Sequence, residues 1–294
     1  MSLKSQDTSE ILQGGIRLLV LERSSCQLPS FDIKKATYLT IEKYFNLPEN
    51  TLLALSDECG MSTHTLDIDE GTGTLKRLGM VIKASQKFQV GNYGLAFSYD
   101  FATGISTGIL HGTGVAKHGQ DYGLWSKSAA AEIHKHIEAS HRFWAHPLFL
   151  PTTLIQHHLL RTDYFCTVIL SNQLTDVQRQ LGVMRAGRLY GSQIREVATE
   201  LPVQQAKVNL RKLTVALSSL MYEAIWFCSV SDWQCSCLKH LGEVLTELNG
   251  LNRSLKETSF IRARIQHLVA SAESIKRHNN ALQENGQADM NIVR

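Results

Sequence analysis

Basic runs, an apolar leader and paired cysteine motifs are all missing from this chain, and each absence closes a route. Its 30 lysines and arginines are interleaved with 27 aspartates and glutamates for a net charge of +3. No stretch is dense enough in cations to form a phosphate-reading stripe, so nucleic-acid binding is not expected. The N-terminus, MSLKSQDTSE, has neither an apolar core nor a small-residue cleavage site, and no secretory signal is read there. No CxxC occurs, although six cysteines stand at Cys26, Cys59, Cys166, Cys228, Cys235 and Cys237. Without a leader they read as reduced thiols of a cytoplasmic protein, not as a disulfide framework. HExxH and EF-hand spacings are absent, and no nucleophile elbow is read. Two glycine-rich pieces stop short of nucleotide motifs. GTGTLKRLG from Gly71 lacks the lysine–hydroxyl pair of a P-loop, and HGTGVAKHG from His111 lacks the glycine that would complete a dinucleotide fingerprint.

What is present describes a folded α+β protein: 43% apolar and 19% charged residues, near globular averages, in a chain long enough for two domains. Ile16 to Leu21 is a short apolar run between Gly14-Gly15 and Ser24-Ser25 and predicts a strand. Ile33 to Leu47 carries apolar residues at helical spacing and ends at Pro48, which donates no amide hydrogen. Four β-like runs follow between 62 and 114: THTLDIDE, MVIKASQKFQV, LAFSYDF and ISTGIL, with turn chemistry at Asp69-Glu70-Gly71 and Phe101 to Gly104. A mixed sheet flanked by helices is expected over 14–125, behind a flexible polar N-terminus, 1–13. A loop over Lys117 to Ser128 separates it from a helical domain over 126–294. Pro151 and Pro202 suit first turns of helices, the former running through Leu170. Leu213 to Val230 is apolar enough to suggest a membrane segment, but Glu223 in its middle makes a buried core helix the better expectation.

The C-terminal third has the most regular pattern. Leu238, Leu241, Leu245, Leu248, Asn252 and Leu255 alternate by three and four residues, as do Ile261, Ile265, Leu268, Ala272, Ile275, Asn279 and Leu282. Such stripes suit shallow helix–helix packing, either within one subunit or as a seam between subunits in which the asparagines fix register.

Candidate sites are weaker. His134, His136, His141, His146, His157 and His158 are close in sequence, but His134 and His136 would point about 200° apart on a helix, so a mixture of exposed and hydrogen-bonded core histidines is expected. Cys228, Cys235 and Cys237 near His240 have zinc-binding chemistry without zinc-binding spacing and read as core. Asp67, Asp69 and Glu70 read as a solvated hairpin tip. No catalytic, cofactor-binding or metal-ligating residue is assigned, and no cofactor. If the protein were an enzyme, His111, His146 or the Cys235–Cys237 pair would be the residues to examine.

Several stretches carry a resemblance: GNYGLAFSYDFATGISTGILHGTG, WAHPLFLPTTLIQHHLLRTD, LGVMRAGR from Leu181 to Arg188, and KVNLRKLTVALSS. Together they resemble the cytosolic region of fungal proteins related to CorA-type magnesium transporters. The resemblance implies an α/β domain followed by long helices, with two transmembrane helices and a Gly-Met-Asn signature beyond. That signature is absent here; the nearest letters are Asp289-Met290-Asn291. The expectation is a regulatory or assembly domain that does not itself conduct ions or insert in a membrane. It would associate with itself through the Leu238 to Leu282 stripes, or with a full-length CorA-like homologue. The alternative is an accessory protein or small-molecule enzyme of a fungal biosynthetic pathway.

Overall fold

A computed structural model of the protein describes residues 14–24, 31, 33–55, 59–85, 89–116, 125–181, 210–251 and 257–293. The expectations for 1–13, for 117–124, for most of LGVMRAGR, for Pro202 and for Asn252 and Leu255 lie outside these residues.

The fold is α+β. Five strands, β1 (Gly15–Glu22), β2 (Met61–Ile68), β3 (Leu75–Lys83), β4 (Asn92–Asp100) and β5 (Ile105–Thr113), form one mixed sheet in the order β1-β5-β4-β3-β2. β1 runs parallel to β5, and the other neighbours are antiparallel. The chain between the parallel partners β1 and β5 passes first through helices α1 (Lys35–Phe45) and α2 (Thr51–Leu55), which lead to the opposite edge at β2, and returns through the antiparallel run β2 to β5. α1 stops as Pro48 requires: Asn46 turns left-handed at φ 50°, and the amide of Leu47 reaches back to the Glu42 carbonyl. β3 begins five residues before the expected Met80. The Asp69 turn, closed by amides of Gly71 and Thr72 on its carboxylate, brings Leu75 straight into register with Ile68.

The remaining helices are α3 (Ala129–Glu138), α4 (Phe149–Tyr164), α5 (Ser171–Gln180), α6 (Leu210–Leu251) and α7 (Thr258–Val293). Pro151 lies in the first turn of α4, as its missing amide suggests. The helix does not run unbroken through Leu170, because Phe165–Leu170 widen into a π segment that leads into α5.

The chain forms two compact units, neither contiguous in sequence: 1–159 with 233–271, and 160–232 with 272–294. The position 125/126 falls inside the first. In that unit Leu21, Tyr38, Leu47, Ala54, Val81, Ala96 and Ile109 make a core between one sheet face and α1–α2. The opposite face carries the alternate residues Ile82, Leu95, Phe97 and Leu110, all buried. The unit also buries Leu238, Leu241, Leu245 and Leu248 of α6 and Ile261, Ile265 and Leu268 of α7.

In the second unit Ala272, Ile275, Asn279 and Leu282 are buried, and Phe165 stacks on Phe227 at 4.7 Å. The described members of both heptad stripes are therefore covered within a single chain. The expected buried helix over Leu213 to Val230 needs correction. One stripe, Leu213, Leu217, Leu220, Ala224, Phe227 and Val230, is buried, while Val215, Tyr222 and Ile225 are 64, 63 and 48% exposed. A helix covered on one side buries one stripe and no more. α6 remains the one described helix long and apolar enough to cross a membrane, with 28% of its most apolar window buried.

Candidate functional site

The first unit holds three polar clusters, and they differ in how far water reaches them. The most enclosed lies on the sheet face that packs on α1. Gly94 of β4 separates Lys83 of β3 from His111 of β5, its register partners on either side. Both neighbours are fully buried, and a Cβ on Gly94 would lie 2.7 Å from the His111 ring. Glycine is what lets the imidazole lie across β4. The Lys83 ammonium donates to the Ala84 carbonyl at 2.6 Å and to the Asn92 side-chain oxygen at 2.9 Å. Burial, with Lys83 and Arg23 nearby, pushes His111 down to about 3, so it is a neutral ring at physiological pH.

A second cluster joins the sheet to helices. The Tyr93 hydroxyl meets Nδ1 of His157 at 2.7 Å, and Nε2 of His157 meets the Glu132 carboxylate at 2.8 Å. Beside it, Nδ1 of His158 accepts from Gln234 at 2.8 Å and the ring packs edge-on to Trp233. Tyr93, His157 and His158 are all buried, so the pair His157-His158 serves to seat α4 through buried polar contacts to Tyr93, Glu132 and Gln234.

The third cluster is reachable. Ser62 and His64 project from one face of β2, two residues apart, and meet His240 and Glu247, two turns apart on α6. Ser62 Oγ lies 2.6 Å from Nδ1 of His240, Nε2 of His240 lies 2.9 Å from Nδ1 of His64, and Nε2 of His64 lies 3.0 Å from the Glu247 carboxylate. With the carboxylate ionised and both rings neutral, one proton arrangement satisfies every contact. The hydroxyl donates to His240, His240 donates to His64, and His64 donates to Glu247. Behind Ser62 the buried Cys237 thiol is in hydrogen-bond contact with its side chain; burial pushes that thiol up to about 12. Burial, reinforced by the neighbouring His64, lowers the pKa of His240. The His64 and Glu247 side chains are 23 and 50% exposed, which opens this chain of bonds to solvent.

The sequence-predicted candidates fall elsewhere. His146 is buried and accepts from the Leu148 amide, and burial pushes it down to about 4. Cys237 faces Ser62, and Cys235 is half-buried. His134 is an exposed partner of Glu138, His141 is exposed and His136 is half-buried, so the six histidines range from exposed to core. Asp69 pairs with Lys76 at 2.7 Å and caps its turn, with its carboxyl held well below the usual range first by Lys76 and then by Thr72. Asp67 faces Arg77 at 3.9 Å. Among the described residues no group of three or more His, Cys, Asp or Glu side chains is placed to hold a metal. Gly104-Ile105-Ser106-Thr107-Gly108 does spell GxSxG, a match the expectation of no elbow passed over. Gly104 ends the turn before β5 and Ile105 to Gly108 run along the strand, with Ser106 buried, so they form no strand-to-helix turn.

Ser62, His64 and Glu247 were not singled out in sequence, and His240 was weighed only as a neighbour of Cys228, Cys235 and Cys237 in a zinc set. Their signals were local and bland: a hydroxyl and an imidazole at strand spacing, and an imidazole and a carboxylate at helix spacing 178 residues away. Neither a protein-family model nor a curated protein sequence matches the chain.

Proposed function

We propose that this chain is a regulatory or assembly domain of the CorA-like kind, related to a divalent-cation transporter and not itself an ion conductor, and that it works by association with a second copy. The observation that carries the assembly reading is the apolar surface the second unit leaves uncovered. Leu160, Tyr164 and Val168 recur every fourth residue at 52, 44 and 36% exposure, and Val215, Tyr222 and Ile225 of α6 add a second exposed stripe. Contiguous exposed apolar stripes of this kind mark interaction surfaces. The related-transporter reading is supported by the order of elements, a mixed sheet first and helices of 42 and 36 residues last.

The Leu238 to Leu282 stripes do not form the seam in this reading, because each chain buries them itself. Association runs instead through the exposed faces of the second unit. Glu223, Ser218, Ser219 and Ser229 in the most apolar part of α6 make insertion in hydrocarbon costly and favour a protein partner. Sedimentation velocity over low to high micromolar concentration tests the proposal. A sedimentation coefficient that rises with concentration is expected; a strictly monomeric chain overturns it.

A further inference from the structure

Going beyond the association proposed above, and independent of it, we propose that Ser62 is a reactive nucleophile, activated by His240, His64 and Glu247, that takes an acyl group from an ester. Three observations carry this. The first is direction. In the proton arrangement that keeps the carboxylate ionised and both rings neutral, every proton in the chain points from Ser62 toward Glu247, so His240 presents a lone pair to the Ser62 hydroxyl at 2.6 Å. The base is in turn oriented by a second imidazole, and that imidazole by a carboxylate, which is the hierarchy an activated serine requires.

The second observation is placement. β2 is the edge strand of the sheet. The Ala84 amide bonds the Tyr93 carbonyl and the Phe101 amide bonds the Lys76 carbonyl, so even-numbered residues of β3 hydrogen-bond toward β4 and odd-numbered ones toward β2. The β2 partners of those odd residues are Met61, Thr63, Thr65 and Asp67. Ser62 and His64 therefore direct their own amides away from β3, toward the side of β2 on which no described strand pairs. An extended substrate laid along that edge would find main-chain donors beside the nucleophile. The third is access: Ser62 and His240 are half-buried, in contrast to the buried Tyr93 and His157.

The chemistry balances with water as the one further reactant. Ser62 Oγ attacks the carbonyl carbon of the ester, and its proton passes to Nδ1 of His240. The C–O bond to the leaving group breaks, and the alkoxide takes the proton from His240 and departs as the alcohol. Water then adds to the acyl-serine, releasing the carboxylic acid and restoring the hydroxyl. The imidazolium formed between these steps is stabilised through His64 by the Glu247 carboxylate. Glu247 touches neither substrate nor nucleophile and is a positioning residue.

The test uses the full chain and an alkyl fluorophosphonate probe, whose phosphorus accepts the serine oxygen while fluoride leaves with the proton. Intact-mass and peptide mapping should find one adduct, on Ser62, absent in Ser62→Ala. His240→Gln should slow labelling at least tenfold with an unchanged circular dichroism spectrum. Glu247→Gln, at a half-exposed position, should move the midpoint of the pH–rate profile downward, because the imidazolium loses its counter-charge; a merely structural contact would not move it. Absence of an adduct at Ser62, equal labelling rates in wild type and His240→Gln, or an unmoved profile in Glu247→Gln would each overturn the proposal.

Discussion

Single residues in this protein act mainly through the space and charge they deny their neighbours. Gly94 is the sharpest case, since a methyl there would press on the His111 ring and come within 3.0 Å of the Ile82 carbonyl. His111 is fully buried and cannot swing clear. Gly94→Ala is expected to destabilise the protein by about 1–3 kcal/mol, read as a lower urea midpoint at unchanged slope. Charge has a comparable effect at His111 and His146, which burial pushes down to about 3 and about 4. Their folded values lie below the ordinary value near 6.5, so the stability linked to them is complete above that pH. It falls as pH drops from about 6.5 toward 4, because the unfolded chain takes up protons that the folded chain refuses. Each histidine costs about 1.4 kcal/mol per pH unit in that window. Melting curves from pH 7 to 4.5 should show this slope, reduced in His111→Leu. None of it was legible in sequence: His111 was a glycine-flanked histidine of a turn-like segment, and only the register of β3, β4 and β5 puts Lys83 and Gly94 beside it.

Elements were more legible than residues wherever one physical rule governed them. β1 and α1 appear where apolar period and Pro48 placed them, and the heptad stripes of α6 and α7 are real buried stripes. Periodicity could not say what covers a stripe, and here each chain covers its own. Nor could it separate the two sides of Leu213 to Val230, where hydropathy is high all round but burial is confined to one line of residues. The contrast gives a prediction at this scale. Leu241→Ala, at a fully buried position of α6, should lower stability by about 2–5 kcal/mol. Val215→Ala, on the exposed side of the same helix, should stay within about 0.5 kcal/mol. Chemical denaturation of the two variants beside wild type checks both. The Ser62–His240 contact was beyond sequence for a different reason: it is made by two elements whose pairing only the fold decides.

For the whole molecule, the consequential fact is that sequence order and compact units do not coincide. Residues 1–159 fold with 233–271, and 160–232 with 272–294, so α6 and α7 each contribute to both units. A cut near residue 125, natural from composition, would divide the first unit and remove the sheet from the helices that bury its second face. The second unit keeps its apolar exposure on two helical faces, one of them on the Leu213 to Val230 segment that was expected to be buried. Association with a second copy therefore runs through Tyr164, Val215 and Tyr222 and not through the leucine stripes in the proposed function. The most direct measurement is sedimentation velocity of wild type beside a Val215→Glu, Tyr222→Glu double variant at matched high micromolar concentration. A concentration-dependent larger species is expected for wild type and a monomer for the variant, with the same helical circular dichroism. A wild-type chain that sediments as a monomer throughout, or a variant that associates as wild type does, would contradict it.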